Sequence, residues 1–242
     1  MVIDVHSHIL PGVDDGAKNP EVTARMLEIA ASEGIDGIVA TPHFEGGMPE
    51  KFLNKRKKAF EITKELAAKI NPGLKLYMGN ESFYSEGAIE ALDNGSAKTY
   101  NGTDYVLVEF PVYAEFGYIE KGIRNLMYAG YKPVIAHIER YEGMAKKHQV
   151  EELSGMGALM QVNASTITGG MGFGIKHYVI KLMKAGLIDL IGTDAHGINR
   201  RRPEIREALK VVEKKMGGDY RRLISEINPG RILRGENISG KA

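Results

Sequence analysis

The chain has 242 residues, 43% of them hydrophobic and 26% charged, with a formal net charge of +1 and no cysteine. That length suits a single α/β barrel domain with a full core, and the balanced charge gives no bulk attraction to nucleic acid or a membrane. No apolar run reaches the length of a membrane span and no basic-then-apolar leader opens the chain, so a cytoplasmic protein without membrane insertion is expected.

A short apolar strand is expected over residues 2–5, followed at once by His6 and His8 and then by Asp14, Asp15 and Gly16. Side chains two apart in a strand share a face, so the two imidazoles point to one side. The glycine-rich turn lets a carboxylate of the Asp pair join them. Asn19-Pro20-Glu21 has the chemistry of a helix start, with a side-chain cap, a proline at the first position and an acid at the positive end. Gly34 ends that helix. Residues 37–41 read as a buried strand ending in Thr41-Pro42-His43. A long helix follows over about 50–70. Its cations Lys51, Lys55, Arg56, Lys57 and Lys58 interleave with acids and apolar residues, and read as a solvated face rather than a binding patch.

Further strands are expected at 74–78, 105–108, 133–136, 159–162 and 188–192. They run into Gly79-Asn80-Glu81, Glu109-Phe110-Pro111, His137-Ile138-Glu139-Arg140, Asn163 and Thr193-Asp194-Ala195-His196 respectively. Helices are expected over 115–129, 175–185 and 203–216, with one more short helix in the tail. Gly169 to Gly174 does not join a strand directly to a helix, so it reads as a loop near the site mouth and not as a dinucleotide fingerprint. Tyr113, Phe116 and Tyr118 read as packing in preference to a substrate rim or partner surface.

Strand, polar residue and helix thus recur about seven times, the pattern of a parallel α/β protein. Right-handed crossovers place every strand C-terminus on one side, where a barrel builds its active site. His6, His8, His43, Glu81, Glu109, His137, Asp194 and His196 all fall at or just after a strand end. Solvated loops would as readily carry Lys, Ser or Asn there. His148 and His177 fall in helix-like segments and read as surface or packing residues. Without thiols, a metal site must use His, Asp and Glu, a donor set suited to Mn, Fe, Mg or Zn. Eight or nine donors exceed the needs of one ion and fit two or three, with Glu81 placed to bridge. Two such ions clamp a phosphoryl group and generate a hydroxide nucleophile near neutral pH. Arg140, and one arginine of Arg200–Arg202, add forked donors for phosphate oxygens. The chemistry best served is phosphate-ester hydrolysis. No Walker sequence points to ATP.

These motifs resemble, in order, those of the PHP superfamily, and within it the manganese-dependent bacterial protein-tyrosine phosphatases of the CpsB/CapC family. The match is carried by Asp4 to Gly16, Ala40-Thr-Pro-His43, Gly79-Asn-Glu81, Glu109-Phe-Pro111, Ala136-His-Ile-Glu-Arg140 and Thr193-Asp-Ala-His196. It spans the chain to about residue 235. The resemblance implies a distorted PHP-type (β/α)7 TIM-like barrel, one domain over 1–242, and a trinuclear manganese site. One ion would take His6, His8, Glu81 and Asp194. A second would share Glu81 and add Glu109 and His137, and a third would take His43, His196 and Asp15 in preference to Asp14. Arg140 and Arg201 would hold phosphate, and His196 or an ion-bound water would protonate the leaving oxygen. The family's substrates are phosphotyrosines on the tail of a bacterial tyrosine kinase that controls capsule or exopolysaccharide synthesis. Two positions depart from the family pattern: Ile138 stands in place of proline, and Phe83 in place of a basic residue. A small-molecule phosphomonoesterase of the histidinol-phosphatase type and a non-catalytic PHP binding module are the alternative expectations. No feature of the sequence specifies an oligomeric state.

Overall fold

The computed structural model describes residues 1–238, so the last four residues of the expected domain lie outside the described residues. Strand β1 (Ile3–Ser7) leads into helix α1 (Pro20–Ser32), whose N-terminus is capped by the Asn19 side chain accepting from Val22 N at 2.9 Å. The next two strands each come in two pieces. The first is β2 (Gly37–Ala40) and β3 (His43–Phe44), and the second is β4 (Lys75–Met78) and β5 (Glu81–Phe83), with α2 (Glu50–Ile70) between them. Pro42, which has no N–H to donate, sits at the first break. Asn80 sits at the second, and its Nδ2 donates to Pro42 O at 2.7 Å, tying the two breaks together. The sequence pattern showed neither short piece, because two or three residues carry no periodicity.

Helix α3 (Ala88–Asp93) precedes β6 (Tyr105–Glu109), then α4 (Phe116–Tyr128), β7 (Lys132–Ile135), α5 (Lys147–Gly155), β8 (Leu159–Asn163), α6 (Ala164–Thr168), α7 (Phe173–Lys184) and β9 (Leu190–Gly192). The chain finishes through α8 (Arg206–Met216), α9 (Gly218–Arg222), a π-helical turn over Leu223–Ile227 and α10 (Asn228–Ile232). Helix α8 starts three residues later than the proline suggests. The reason is tertiary: Glu33, at the end of α1, accepts from Ile205 N at 3.1 Å and Arg206 N at 2.9 Å, and so caps the helix there. Among the described residues, no helix is long and apolar enough to cross a membrane.

All pairing is parallel and follows chain order. β1 pairs with β2 and β2 with β4; β3 pairs with β5, and β5 continues through β6, β7 and β8 to β9. The last strand returns to the first. Asp194 N donates to His6 O at 2.7 Å, His8 N donates to Ala195 O at 2.9 Å, and Ser7 bridges Ala195. The sheet therefore curls into a seven-stranded barrel with two broken staves, and the helices pack outside it.

Alternation along the strands fills the barrel. Ile3, Val5, Val39, Leu107, Val134, Leu159 and Leu190 form its apolar interior. Above them the same faces turn polar on β6 and β8, with Glu109, Gln161 and Asn163, whereas β9 has Gly192 beside His6. On β1 the register against β2 shifts between Asp4 and Ser7. This bulge slips the alternation by one residue, so His6 and His8 follow Ile3 and Val5 onto the inner side. Asp4, fully buried, closes the barrel by accepting from Thr193 N at 2.8 Å and Thr193 Oγ1 at 2.5 Å. Thr193→Val keeps the shape and removes one donor to that carboxyl. It should cost about 1–3 kcal/mol of unfolding free energy, read from urea denaturation. An unchanged midpoint would mean that Asp4 does not hold the seam.

Candidate metal centre

The C-terminal ends of the strands bring the sequence-predicted donors to one place. His6 lies within β1 and His8 just past it; His43 and Glu81 open β3 and β5; Glu109 ends β6. His137 follows β7, and Asp194 and His196 follow β9. His6, His8, Glu81, His137 and Asp194 are buried, whereas His43 and Glu109 are partly exposed. His148 and His177 lie exposed on α5 and α7.

Three groups of donor atoms result, each with members within 4.8 Å of one another. They are His6, His8, Glu81 and Asp194; His8, Asp15, His43 and His196; and His43, Glu81 and Glu109. Glu81 lies at the middle. Its Oε2 is 3.1 Å from His8 Nε2, 3.2 Å from His6 Nε2 and 3.1 Å from His43 Nδ1. His137 Nε2 approaches Glu81 Oε1 at 2.7 Å and Glu109 Oε1 at 3.4 Å.

The two carboxylates of the Asp pair do different work. Asp15 Oδ1 faces His43 Nε2 at 3.4 Å and His196 Nε2 at 3.2 Å. Asp14 instead grips the back of a donor: its Oδ2 lies 2.8 Å from His8 Nδ1 and accepts from His43 N at 3.1 Å. A carboxylate on the far nitrogen fixes the tautomer and leaves Nε2 for the cluster. Gln161 does the same for His6, with Oε1 at 3.1 Å from Nδ1, and also accepts from His137 N at 2.9 Å. From Gln161 a chain runs through Asn163 Oδ1 at 3.0 Å, and Asn163 Nδ2 donates to Asp194 Oδ2 at 2.8 Å. Sequence reasoning missed Gln161 and Asn163 as site residues. The available signal was their period-2 placement in the buried strand Leu159-Met-Gln-Val-Asn163, on the face that Leu159 turns inward.

The donor set fits divalent ions. Glu81 Oε2 and His196 Nε2 are buried without a hydrogen-bond partner, although both sit among other donors. Burial works against the His8 imidazolium, yet Asp14 and Glu81 outweigh it and lift its pKa to about 10. Burial likewise works against the Glu81 carboxylate, but His6, His137 and His43 hold it well below the usual range. Burial, with His8 and Arg201 nearby, pushes His196 down to about 4. The buried carboxylates therefore demand positive charge, which protonated imidazoles supply in the absence of ions. Divalent cations would take that place by displacing protons from the ligands.

Both sequence-predicted arginines converge on one carboxylate. Arg140 Nη2 donates to Asp194 Oδ2 and Arg201 Nη2 to Asp194 Oδ1, each at 2.5 Å. Their side chains remain 26% and 40% exposed, so both are open to solvent as well as tied to Asp194. Arg202 pairs with Glu204 instead, at 3.1 Å. Four described residues other than glycine have positive φ, and three of them belong here: His137, Asp194 and Arg201. Backbone strain of this kind persists only where the surroundings enforce it.

Two glycines admit the imidazoles. A Cβ on Gly192 would lie 2.6 Å from His6 Cβ, and one on Gly16 would overlap the His8 carbonyl and lie 2.5 Å from His8 Cβ. Gly16→Ala should cost about 1–3 kcal/mol of stability and displace His8. Bound metal per chain, measured by atomic emission after dialysis, should fall with it. Full occupancy in a folded variant would contradict the tight approach.

Around the mouth, Ile138 is fully buried, so the family's proline position is filled by packing. Phe83 is half-buried and lies opposite Glu109 in the β5–β6 pairing. Phe116 packs against the core, and Tyr118, although 43% exposed, stands edge-on to Tyr84 and Phe110. Tyr113 does not pack: it is 78% exposed, which corrects the packing expectation for that residue, because its loop carries it past the core.

With this geometry in hand, comparisons add a lineage. Residues 2–234 match the family described as capsular polysaccharide synthesis, CpsB/CapC. The tyrosine-protein phosphatase CpsB of Streptococcus pneumoniae is 31% identical over 238 residues, covering 96% of this chain and 98% of that protein. The tyrosine-protein phosphatase YwqE of Bacillus subtilis strain 168 is 33% identical over 247 residues, covering 98% and 93%. The fold overlays on a structure from a study of YwqE and CpsB, described there as unique metal-dependent tyrosine phosphatases. The TM-score is 0.89 with 30% identity, over 98% of this chain and 96% of the other.

Proposed function

The chain belongs to the CpsB/CapC family, and on that premise we propose that it is a metal-dependent phosphatase hydrolysing phosphotyrosine on proteins. The observation that carries the reading is the meeting of a dense His/Asp/Glu cluster with two half-exposed arginines at one end of the barrel. His6, His8, Glu81 and Asp194 would hold one ion. Glu81, Glu109 and His137 would hold a second, and Asp15, His43 and His196 a third. Manganese is the proposed metal, in two or three copies. Bound divalent ions polarise phosphoryl oxygens and make water acidic enough to ionise near neutral pH.

The chain's own groups do the rest. Arg140 and Arg201 bind and orient the phosphoryl group through the N–H donors not committed to Asp194, and they balance the charge it gains in the transition state. Asp194, gripped by both guanidinium groups and by Asn163, sets their spacing. His196 Nδ1 lies 2.9 Å from the Asp194 carbonyl oxygen, which keeps the ring proton at Nδ1 and the lone pair at Nε2. In that tautomer His196 is a ligand and has no Nε2 proton to give the departing tyrosine. The proposal therefore uses His196 as a ligand, and of the two candidates for the leaving-group acid it does not take His196.

The finer reading follows the family: one domain, whose substrate is the phosphotyrosine tail of a bacterial kinase that controls capsule or exopolysaccharide synthesis. Such a kinase draws on cytoplasmic nucleotide, so the same reading puts the phosphatase in the cytoplasm. An accessible centre suits a protein substrate. The side chains of His43 and Asp15 are 37% and 65% exposed, so one edge of the donor cluster is open to solvent.

The test is turnover by metal-stripped protein refilled with Mn, Fe, Zn or Mg. Phosphotyrosyl peptide, phosphoseryl peptide and histidinol phosphate are compared. Metal-dependent hydrolysis fastest on phosphotyrosine is expected. Preference for histidinol phosphate would keep the site and overturn the substrate. No turnover with metal bound would make the chain a binding module.

A further inference from the structure

The four lysines expected on the solvated face of α2 (Lys51, Lys55, Lys57 and Lys58) are exposed, but the fifth cation of that run is not. Arg56 is only 4% exposed. Its Nη1 donates to Asn80 Oδ1 at 2.7 Å, and its guanidinium lies 5.8 Å from the centre of the Phe44 ring. Burial lowers its pKa to about 10, still far above neutrality, so the group stays charged. Asn80 and Phe44 satisfy one N–H and one face; neither neutralises the charge. Among the described residues, no carboxylate lies within ion-pair distance of Arg56. A buried charge without a counter-ion is costly, and chains rarely keep one without a use for it.

Arg56 lines a cavity of about 450 Å³ together with Lys57 and Lys98, and no acidic side chain contributes to its wall. Leu53, Phe60 and Met78 supply an apolar side. Lys98 is exposed, and burial together with the Arg56 charge holds its ammonium below the usual lysine range. A forked guanidinium with two ammonium groups is the donor pattern of an oxyanion site, and the volume suits a small molecule. No donor of the metal centre lines this cavity, whose wall comes from α2, from Met78 on β4 and from the segment at 95–98.

We propose that this cavity binds a small organic anion through a phosphate or carboxylate head held by Arg56, Lys57 and Lys98, with its apolar part against Leu53, Phe60 and Met78. The anion would be the counter-ion that Arg56 lacks. The proposal does not depend on the phosphatase reading.

Two measurements on the metal-loaded protein test it. Calorimetric titration with inorganic phosphate should show two classes of site. Arg140→Ala should weaken the class at the metal centre, and Lys57→Ala/Lys98→Ala the other, by about tenfold or more, the scale of one lost charged hydrogen bond. Both lysines are exposed, so the double variant should fold, and its turnover without added phosphate should match the parent's. Crystals soaked in selenate should show anomalous density beside Arg56, absent in the double-lysine variant. A single class of phosphate site, a second class indifferent to the lysines, or no selenate at Arg56 would each overturn the proposal.

Discussion

Glu81→Gln should strip the protein of both metal and activity. Glu81 is 1% exposed, and its two oxygens lie within 3.2 Å of four imidazoles, those of His6, His8, His43 and His137. It belongs to two of the three donor groups and touches the third through His8 and His43. An amide has nearly the same shape but offers one neutral oxygen and two N–H donors. Those donors would face imidazole nitrogens that must themselves stay unprotonated to bind a cation. A charge at the middle of a buried cluster is worth several kcal/mol to its neighbours when one partner is removed. Turnover should therefore fall by about 10³-fold or more, with bound metal lost in parallel. Atomic emission on the dialysed variant, beside its rate on phosphotyrosyl peptide, checks this. A variant that retains metal and loses only rate would show that Glu81 acts on the substrate and does not bridge.

Removal of either arginine should give the opposite split. Arg140→Ala and Arg201→Ala should each lower kcat/KM by roughly 10²–10³-fold, or about 2–4 kcal/mol of transition-state binding, the scale of losing a preorganised donor at developing charge. Bound metal should persist, because neither guanidinium is a donor to the cluster. The pair should be less than additive. Both side chains hold the same carboxylate, so loss of one loosens Asp194 and with it the placement of the other. A double variant no worse than the weaker single would confirm that they act as a unit. Undiminished turnover in either single would remove that residue from the mechanism. Arg201 also holds its left-handed backbone, and its carbonyl accepts from His196 N at 2.8 Å. Arg201→Lys, which keeps the loop and the charge but not the fork, separates the loop's role from the guanidinium's.

The barrel was legible because most of its strands, such as β2 and β9, are buried on both faces. A strand sealed by neighbours and helices must be apolar throughout, so Gly37-Ile-Val-Ala40 and Leu190-Ile-Gly192 stand out by composition alone. The helices were legible through local chemistry, as with Asn19 and Pro20 at the start of α1. What failed was whatever depends on contact across the chain. The start of α8 is set by Glu33, 172 residues away from Ile205. The short pieces β3 and β5 are defined by pairing across the chain, and the breaks before them are tied together by Asn80. Arg56 looks like any surface cation in a Lys-rich helix, and only packing shows that it is buried.

For the site, residue type and strand-end position picked out the donors, because covalent order fixes which end of a parallel strand a residue occupies. Residue type and spacing did not rank Asp14 against Asp15, since both lie on the same turn and either could reach; only the family resemblance favoured Asp15. The fold separates them by direction, with Asp14 behind His8 and Asp15 facing His43 and His196. Nor could sequence show that Gln161 and Asn163 orient His6 and Asp194, because those contacts span 155 and 31 residues. The sequence by itself determined the seven main strands and the longer helices, their parallel order and the chemical character of one barrel end, all of which follow from local composition and periodicity. Tertiary structure alone decided which carboxylate faces the cluster, how the arginines are tethered and where an unpaired charge is buried. Those depend on distances between segments remote in the chain, which no local pattern encodes.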